Sequence, residues 1–265
     1  MKVLAVNADL IVVISRFWQT TCTAVRAGDE GFVIDSPVYP DELEAVPSVL
    51  EQAGFPVSGL LATHADWDHL LGRIAFPEAS LGCGESTVAR LAAEPGDAQR
   101  KLREFDEDQY VDDRPRLALA GIQALPVPGR LSLGAGDREI ELHPADGHTA
   151  DGTAFFIPWL RTLVCGDYIS PVEFPWISPD GSVDAYLATL ERLRELLARA
   201  DTIVPGHGRP LERSDALHIL EEDALYLRAL SAEGAGASLP PGRRTGAQRR
   251  IHMENVARLQ ESVSK

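Results

Sequence analysis

The hydrophobic and polar positions of the chain alternate between a strand pattern and a helix pattern. In the first third, runs rich in Val and Ile are bounded by Gly, Asp or Pro, which is typical of short β-strands; these runs cover residues 3–15, 21–28 and 31–37. They predict an antiparallel meander at the start of the fold. Residues 41–54 then carry apolar positions at helical spacing, and we expect Pro47 to lie in the first turn of this helix.

The same order of strands and helices recurs further along the chain. Residues 57–63 form a short apolar strand, and residues 85–108 show a charged helical pattern that is broken by a Pro-Gly pair. Glycine turns separate further predicted strands at residues 122–128, 129–136, 138–147, 153–158 and 161–167. The clearest amphipathic helix, residues 183–200, leads into a short strand at 202–206. Because each half runs from strands to a helix, we expect two sheets packed face to face with helices outside.

The C-terminal part of the chain has helical patterns at residues 216–230 and 251–260. A stretch rich in Gly, Ala, Ser and Pro separates them at residues 233–242. A tail of this size is too small to hold a core alone, so the stretch indicates a loop and not a domain boundary. The sequence therefore predicts one domain over residues 1–265 with a helical C-terminal extension from about residue 211.

Composition and charge narrow the function classes. The 265 residues are 45% hydrophobic, which is enough for a substantial core. The formal net charge of −15 argues against a nucleic-acid-binding protein, because such binding depends largely on Lys and Arg at phosphates. No run approaches the ~20 apolar residues of a membrane-spanning helix, and the run LIVVI lacks the features of a leader. We expect a cytoplasmic protein without a membrane partner. The sequence leaves open whether the protein forms a homo-oligomer.

The most informative segment follows the predicted strand at residues 57–63. It reads Thr-His-Ala-Asp-Trp-Asp-His and places four potential metal ligands within six positions: His64, Asp66, Asp68 and His69. Side chains two residues apart on an extended segment point the same way, so His64 and Asp66 can face one metal. Where the chain then turns, Asp68 and His69 can reach a second metal on the other side. Such a density of ligands is not expected by chance in a loop.

Three further polar residues stand at the ends of predicted strands, each beside a glycine: His148, Asp167 and His207. Alone, each would be interpreted as a loop histidine or a turn-forming aspartate. Together with the first segment, they complete a set of imidazoles and carboxylates suited to two divalent cations. The neighbouring glycines let the backbone come close to a crowded site.

The order H-x-[H/D]-x-D-H, then Gly-His, then Gly-Asp, then Pro-Gly-His-Gly resembles the metallo-β-lactamase superfamily, over roughly residues 1–210. This resemblance implies an α/β fold, an αββα four-layer sandwich with the metals at one edge of the two sheets. It also implies how the ligands divide: His64, Asp66 and His148 for the first metal, Asp68, His69 and His207 for the second, and Asp167 as the bridge. The Pro-Gly-His-Gly segment and the helical tail are more similar to the glyoxalase II and lactonase branches than to the antibiotic-degrading enzymes.

One position departs from the family pattern, because most members carry His where this chain has Asp66. A carboxylate replaces a neutral nitrogen donor with an anionic oxygen, which makes the metals weaker Lewis acids. We therefore expect two divalent metal ions. Zinc is the expected metal, and iron and manganese are the alternatives. Flavodiiron proteins resemble this variant in carrying a carboxylate at the same position, but we expect no flavodoxin domain in this chain. Since imidazole suits zinc better than a single carboxylate does, Asp66→His is expected to raise zinc affinity.

The resemblance implies a metal-dependent hydrolase that acts on a small-molecule ester, thioester or lactone through a hydroxide bridging the two metals. Asp68 is the expected catalytic residue, because a carboxylate beside the metals can accept the proton of the nucleophile. Three alternatives stay open. They are a non-haem di-iron oxygenase or redox enzyme on the same fold, a binding protein with a relict site, and a nuclease, against which the acidic charge counts. The expected partner is a small-molecule substrate.

Other residues carry weaker signals. Four aromatic side chains near the metal-bearing loops are candidates for an apolar substrate wall or for ordinary packing: Trp67, Tyr168, Phe174 and Trp176. Arg209 is a candidate for an anionic substrate or for a surface ion pair. Three histidines have no companions at ligand spacing and are expected outside the site: His143, His218 and His252. Three widely spaced cysteines predict neither disulfides nor a thiolate zinc site and are expected to be buried: Cys22, Cys83 and Cys165.

Overall fold

Two β-sheets form the centre of the computed structural model, which describes residues 1–134, 136 and 138–263. The first sheet has seven strands in chain order: β1 (Lys2–Asn7), β2 (Leu10–Ile14), β3 (Thr21–Ala27), β4 (Glu30–Asp35), β5 (Gly59–Ala62), β6 (Leu81–Gly84) and β7 (Gln123–Leu125). Strands β1 to β4 pair antiparallel and β4 to β7 pair parallel. The predicted meander is confirmed, and a turn at residues 8–9 divides its first run into two strands.

The second sheet has six strands in the order β13, β12, β11, β10, β9, β8. Their bounds are β8 (Gly129–Leu133), β9 (Arg138–Pro144), β10 (Thr153–Ile157), β11 (Thr162–Val164), β12 (Thr202–Val204) and β13 (Leu211–Glu212). All neighbours pair antiparallel except β11 and β12, which run parallel. The turn expected between β8 and β9 includes Ala135 and Asp137, which lie outside the described residues.

Helices cover the outer faces of both sheets. In the described part of the chain they are α1 (Pro40–Gln52), α2 (Gly72–Ala75), α3 (Glu85–Ala93), α4 (Asp97–Asp108), α5 (Val183–Leu197), α6 (Arg213–Glu233) and α7 (Gly246–Val263). Ser182 caps α5, because its hydroxyl accepts a hydrogen bond of 3.1 Å from the backbone N–H of Ala185. None of the helices in the described ranges is long and apolar enough to cross a membrane.

Three clusters of buried apolar side chains hold the layers together. One lies between the sheets and joins Val12 and Ile34 of the first to Ile140 and Phe155 of the second. Another packs α1, α2 and α4 against the outer face of the first sheet, and the third packs α5, α6 and α7 against the second sheet. Because each sheet buries apolar side chains on both faces, the predicted αββα sandwich is confirmed.

Helix α1 corrects the expectation for Pro47. The helix begins at Pro40, a position whose backbone N–H would have no hydrogen-bond partner within the helix, so a proline is tolerated there. Pro47 therefore lies inside the helix and not in its first turn. Pro47 removes one backbone hydrogen bond. On the same helix, Leu43, Val46 and Leu50 are buried in the core. Their burial, worth about 2 kcal/mol for each side chain, outweighs that loss.

The segment between α6 and α7 is tied to the loop that follows β11. Arg243 is 4% exposed and donates to a carboxylate oxygen of Asp223 on α6 at 2.7 Å. It also donates to the backbone carbonyl oxygen of Glu173 at 3.0 Å. Arg243 therefore fixes the position of residues 170–173 against the C-terminal helices.

Candidate metal centre

Several strand ends converge at one edge of the two sheets. His64 follows β5 in the first sheet, while Asp167 and His207 follow the parallel strands β11 and β12 in the second. His148 lies in the loop between β9 and β10. A backbone hydrogen bond of 2.8 Å from the first residue of β10 to the residue after β5 joins the sheets at this edge. Residues that are far apart in the sequence are thereby brought together.

The backbone after β5 separates the ligands of the first motif into two groups. Asp66 is extended, and a short 3-10 helix at Trp67–His69 turns the chain directly after it. The two resulting groups have donor atoms that lie within 4.8 Å of one another: His64, Asp66 and His148 in the first, and Asp68, His69 and His207 in the second.

Asp167 lies between these two groups. Its Oδ2 is 3.3 Å from Nε2 of His148, 3.3 Å from Nε2 of His207 and 3.8 Å from Nε2 of His64. Its Oδ1 is 3.2 Å from Nε2 of His69. One carboxylate therefore faces imidazoles of both groups.

Two of the four imidazoles are oriented by backbone carbonyl groups. Nδ1 of His148 lies 3.0 Å from the carbonyl oxygen of Trp176, and Nδ1 of His207 lies 3.1 Å from that of Trp18. A carbonyl oxygen accepts only, so in the neutral ring each Nδ1 carries the proton and each Nε2 has a lone pair for a metal. The backbone thus selects the tautomer that can bind a metal.

Asp35, at the end of β4, orients the other two imidazoles. Its Oδ1 accepts from the backbone N–H of Thr63 at 2.8 Å, and its Oδ2 accepts from the hydroxyl of Thr63 at 2.9 Å. Oδ2 also lies 3.0 Å from Nδ1 of His69. Since the hydroxyl of Thr63 donates to Asp35, its oxygen accepts from Nδ1 of His64 at 3.0 Å. Asp35 thereby directs Nε2 of both His64 and His69 towards the centre.

These Nε2 atoms have no hydrogen-bond partner. Among the described residues, the buried atoms without one include Nε2 of His64, His69 and His148 and Oδ1 of Asp167. A buried polar atom without a partner is costly, and native structures rarely leave several together. Imidazole nitrogens and carboxylate oxygens are ligands of zinc and related ions, so the residues fit a pair of divalent metals.

The electrostatics of the centre also favour cations. Burial alone lowers the pKa of an imidazole, but the surrounding carboxylates raise the pKa of His148 and of His207 to about 10. They raise that of His69 well above its usual value. Burial raises the pKa of Asp66 and Asp167, yet the neighbouring histidines hold both well below the usual range. A metal ion that binds here replaces protons on the rings.

The glycines beside the ligands have the expected effect of allowing close approach. A Cβ atom at Gly206 would overlap Oδ1 of Asp167. A Cβ atom at Gly147, whose φ is +125°, would overlap the backbone of Tyr186 on α5. Larger residues at these two positions would push apart the loops that carry His207 and His148.

Besides Asp35, sequence reasoning missed two charged residues that lie beside the proposed ligands. Arg90, on α3, donates to Oδ1 of Asp66 at 2.9 Å. Oε2 of Glu173 lies 4.0 Å from Nε2 of His207. Asp66 and Arg90 meet because α3 packs near the loop, and no motif in the chain marks either Arg90 or Glu173.

A cavity of about 400 Å³ opens onto the centre. Trp67 and Trp176 line it, as the apolar-wall interpretation requires. Trp18, which precedes β3, and Ile251, on α7, also line it. The cavity is therefore bounded by the metal-bearing loops on one side and by the C-terminal helix on the other.

The remaining candidates lie away from this cavity. Tyr168 and Phe174 are buried in the third core cluster, so they pack and do not line the cavity. Arg209 forms an exposed ion pair with Asp215 at 3.0 Å. The three histidines expected outside the site each have another polar partner: His143, His218 and His252. The cysteines are free and buried, as predicted, and burial raises the pKa of their thiols: Cys22, Cys83 and Cys165.

Comparison with known proteins agrees with this architecture. A metallo-beta-lactamase family protein from Thermus thermophilus has a TM-score of 0.68 at 19% identity, over 96% of this chain and 92% of that chain. A metallo-beta-lactamase from Pontibacter korlensis has a TM-score of 0.59 at 18% identity, over 83% and 97%. The DIM-1 metallo-beta-lactamase has a TM-score of 0.57 at 17% identity, over 83% and 95%.

The family description that matches the sequence is that of the metallo-beta-lactamase superfamily, over residues 15–207. This range includes all seven candidate ligands. The prediction of a hydrolase with this fold is confirmed at the level of the family. Because the match spans most of the sequence and the structure has the same fold, the chain belongs to the metallo-beta-lactamase superfamily.

Proposed function

We propose that the protein is a metal-dependent hydrolase of a small-molecule ester, thioester or lactone. In this proposal two divalent metal ions bind at the centre. The ligands divide as the family pattern implies: His64, Asp66 and His148 for the first ion, Asp68, His69 and His207 for the second, and Asp167 for both. Zinc is the proposed metal, with iron or manganese as alternatives, because imidazole and carboxylate ligands suit all three.

The position of Asp167 is the observation that carries the proposal. Its carboxylate lies within 3.8 Å of an imidazole nitrogen from each group. Its Oδ1 is buried without a hydrogen bond. A buried carboxylate in this setting is stabilised by cations on both sides, which supports a shared ligand.

Two divalent ions at such a centre would lower the pKa of a water molecule and polarise a carbonyl oxygen. Oδ2 of Asp68 lies 3.6 Å from Nε2 of His69 and 3.7 Å from Nε2 of His207, where it can accept a proton from the attacking water. Glu173 stands at the wall of the cavity, and its burial raises the pKa of its carboxyl group. A carboxyl group with a raised pKa is better suited to protonate a leaving group. We assign Asp68 as the base and Glu173 as the proton donor.

The cavity supports a small substrate. Three Lys and Arg side chains line the cavity. Arg90 pairs with Asp66 at 2.9 Å and Lys101 with Asp97 at 2.9 Å, whereas Arg250 has no ion pair among residues 1–134, 136 and 138–263. Arg250 is therefore available to a negatively charged group of the substrate. The tryptophan side chains of the wall suit an apolar body on the same molecule.

The glyoxalase II or lactonase branch remains the proposed relationship within the superfamily. The Pro-Gly-His-Gly segment at residues 205–208 is followed by α6 and α7, and α7 reaches the cavity. The buried side chains of these helices complete the core cluster on the second sheet. We infer from this packing that the extension and the sandwich form one domain.

The first expected result is a metal content of two ions per chain. Protein purified without chelators and reconstituted with zinc, iron or manganese is to be measured by elemental analysis. We expect two ions because two groups of donor atoms share Asp167. A content of one ion would restrict the proposal to a single site, and no bound metal under any of these conditions would overturn it.

The second expected result is hydrolysis that needs water alone. Ester, thioester and lactone substrates, neutral and anionic, are to be assayed with the metal-loaded protein under air and without dioxygen. We expect turnover in both atmospheres, its loss with a chelator, and its return with the metal. Turnover that requires dioxygen and an electron donor would replace the hydrolase assignment with the oxygenase alternative.

A further inference from the structure

Arg90 bridges two carboxylates beside the first group of ligands. Its side chain is 15% exposed, so the guanidinium is largely removed from water. One nitrogen donates to Oδ1 of Asp66 at 2.9 Å, and another donates to Oδ1 of Asp151 at 2.7 Å. A third nitrogen lies 3.5 Å from the more exposed carboxylate of Asp180. The planar guanidinium group holds its N–H donors in fixed directions and can therefore bridge two carboxylates, whereas a lysine ammonium has no comparable geometry.

The bond from Arg90 gives the two oxygens of Asp66 different roles. Oδ1 faces the guanidinium. Oδ2 lies 3.6 Å from Nε2 of His64 and 3.7 Å from Nε2 of His148. A single oxygen of Asp66 is therefore directed towards the two imidazoles of its group.

The second carboxylate on Arg90 fixes the backbone of the same motif. Oδ2 of Asp151 accepts from the backbone N–H of Ala65 at 2.8 Å. Ala65 stands between His64 and Asp66 in the chain. Arg90 thus holds the side chain of Asp66 directly and, through Asp151, the backbone that precedes it.

We infer that Arg90 is a positioning residue that makes Asp66 a one-oxygen metal ligand and adapts the first site to a carboxylate instead of an imidazole. The guanidinium offsets part of the negative charge that Asp66 adds, so the adjacent metal keeps more of its Lewis acidity than Asp66 alone would allow. A histidine at position 66 would remove one of the carboxylates that pair with Arg90. If one ring nitrogen of that histidine bound the metal, the N–H of its other ring nitrogen would face the N–H groups of Arg90, so two donors would meet without an acceptor.

This inference rests on the proposed two-metal centre and changes the expectation for Asp66→His. With Arg90 in place, that substitution is expected to weaken zinc binding at the first site about tenfold, and not to strengthen it. Arg90→Gln should also weaken it about tenfold, because Asp66 loses its orientation. The double variant Asp66→His with Arg90→Gln should bind zinc more tightly than Asp66→His alone, since the conflict between donors is removed.

The experiment uses the full chain, wild type and these three variants. Zinc affinity is to be measured by competition with a chromophoric chelator, and the geometry of the first site by the visible spectrum of the cobalt-loaded protein. Arg90→Lys, which keeps the charge but not the planar guanidinium group, should recover part of the affinity and is used if Arg90→Gln does not fold. Asp180→Asn is the matched control and should leave affinity and spectrum unchanged, because its contact with Arg90 is long and exposed.

The outcomes separate this inference from the proposed function. If wild type binds no metal, both fail. If wild type binds two ions and the Arg90 variants bind them with unchanged affinity and cobalt spectrum, the positioning role alone is refuted. An Asp66→His protein that binds zinc more tightly than wild type while Arg90 is present would refute it as well. A change confined to KM for an anionic substrate would assign Arg90 to substrate binding instead.

Discussion

Replacement of Asp167 by Ala is expected to lower turnover by ~10²-fold or more and to loosen both metal ions. The reason is the placement of its carboxylate between imidazoles of both groups, with Oδ2 3.3 Å from Nε2 of His148 and of His207, and Oδ1 3.2 Å from Nε2 of His69. A ligand shared by two ions cannot be lost from one site alone. The measurements are kcat with saturating metal and the metal content that survives dialysis.

Two histidines outside the centre provide the controls for this experiment. His218 is 74% exposed and pairs with Glu222 on the same helix, and His143 pairs with Glu141 on β9. Their alanine variants should stay close to wild type in turnover and metal content. If Asp167→Ala released one ion only, the bridging assignment would be wrong. If it lowered turnover no more than His218→Ala, Asp167 would not belong to the active centre.

Asp35→Asn is expected to weaken metal binding at both sites, on the order of 10²-fold, although the residue contacts no proposed metal. The Asn side chain can still accept from the backbone N–H of Thr63 through Oδ1, which places its amide N–H₂ where Oδ2 stood. This amide donates to Nδ1 of His69 and to the hydroxyl of Thr63, and the hydroxyl must then donate to Nδ1 of His64. The proton of each ring moves to Nε2, which removes the lone pair that binds a metal.

Thr63→Val separates the two branches of this network. It removes the hydroxyl between Asp35 and His64 but leaves the bond from His69 to Asp35 in place. The valine variant should therefore weaken the first site and spare the second, whereas Asp35→Asn weakens both. Competition with a chelator measures the affinities, and proton-detected NMR of the ring N–H groups reports the tautomers. An Asp35→Asn protein with unchanged tautomers would contradict this account.

The sequence was sufficient to predict which polar side chains meet at this edge of the sheets, because clustered His and Asp residues are chemically conspicuous. Four of them lie within six positions after an apolar strand, and the other three each follow a glycine at a strand end. The strands and the αββα layers are also predicted from a local signal, the spacing of hydrophobic residues along the chain. For this reason the positions of the ligand-bearing loops and the two sheets along the chain could be predicted from the sequence.

Residues that act through tertiary contacts gave no such signal. Asp35 ends an ordinary strand, and Arg90 lies in a charged helix where an arginine is common. Strand β6 was not predicted because its four residues include two glycines, and it forms by parallel pairing with β5 and β7. Pro47 lies inside α1 because burial of the helix outweighs a local preference. In each case the deciding interaction joins segments that are distant in the chain.

The last helix of the chain forms part of the cavity wall but supplies none of the proposed ligands. Ile251 and Arg250 of α7 line the cavity at the candidate metal centre, while all seven proposed ligands lie within residues 64–207, at the edge of the sheets. In the proposed enzyme, part of the substrate wall is thus encoded in a different stretch of the sequence from the metal ligands. Substitutions at the cavity-lining positions of α7 are therefore expected to change which molecules the proposed enzyme accepts without replacing a proposed metal ligand.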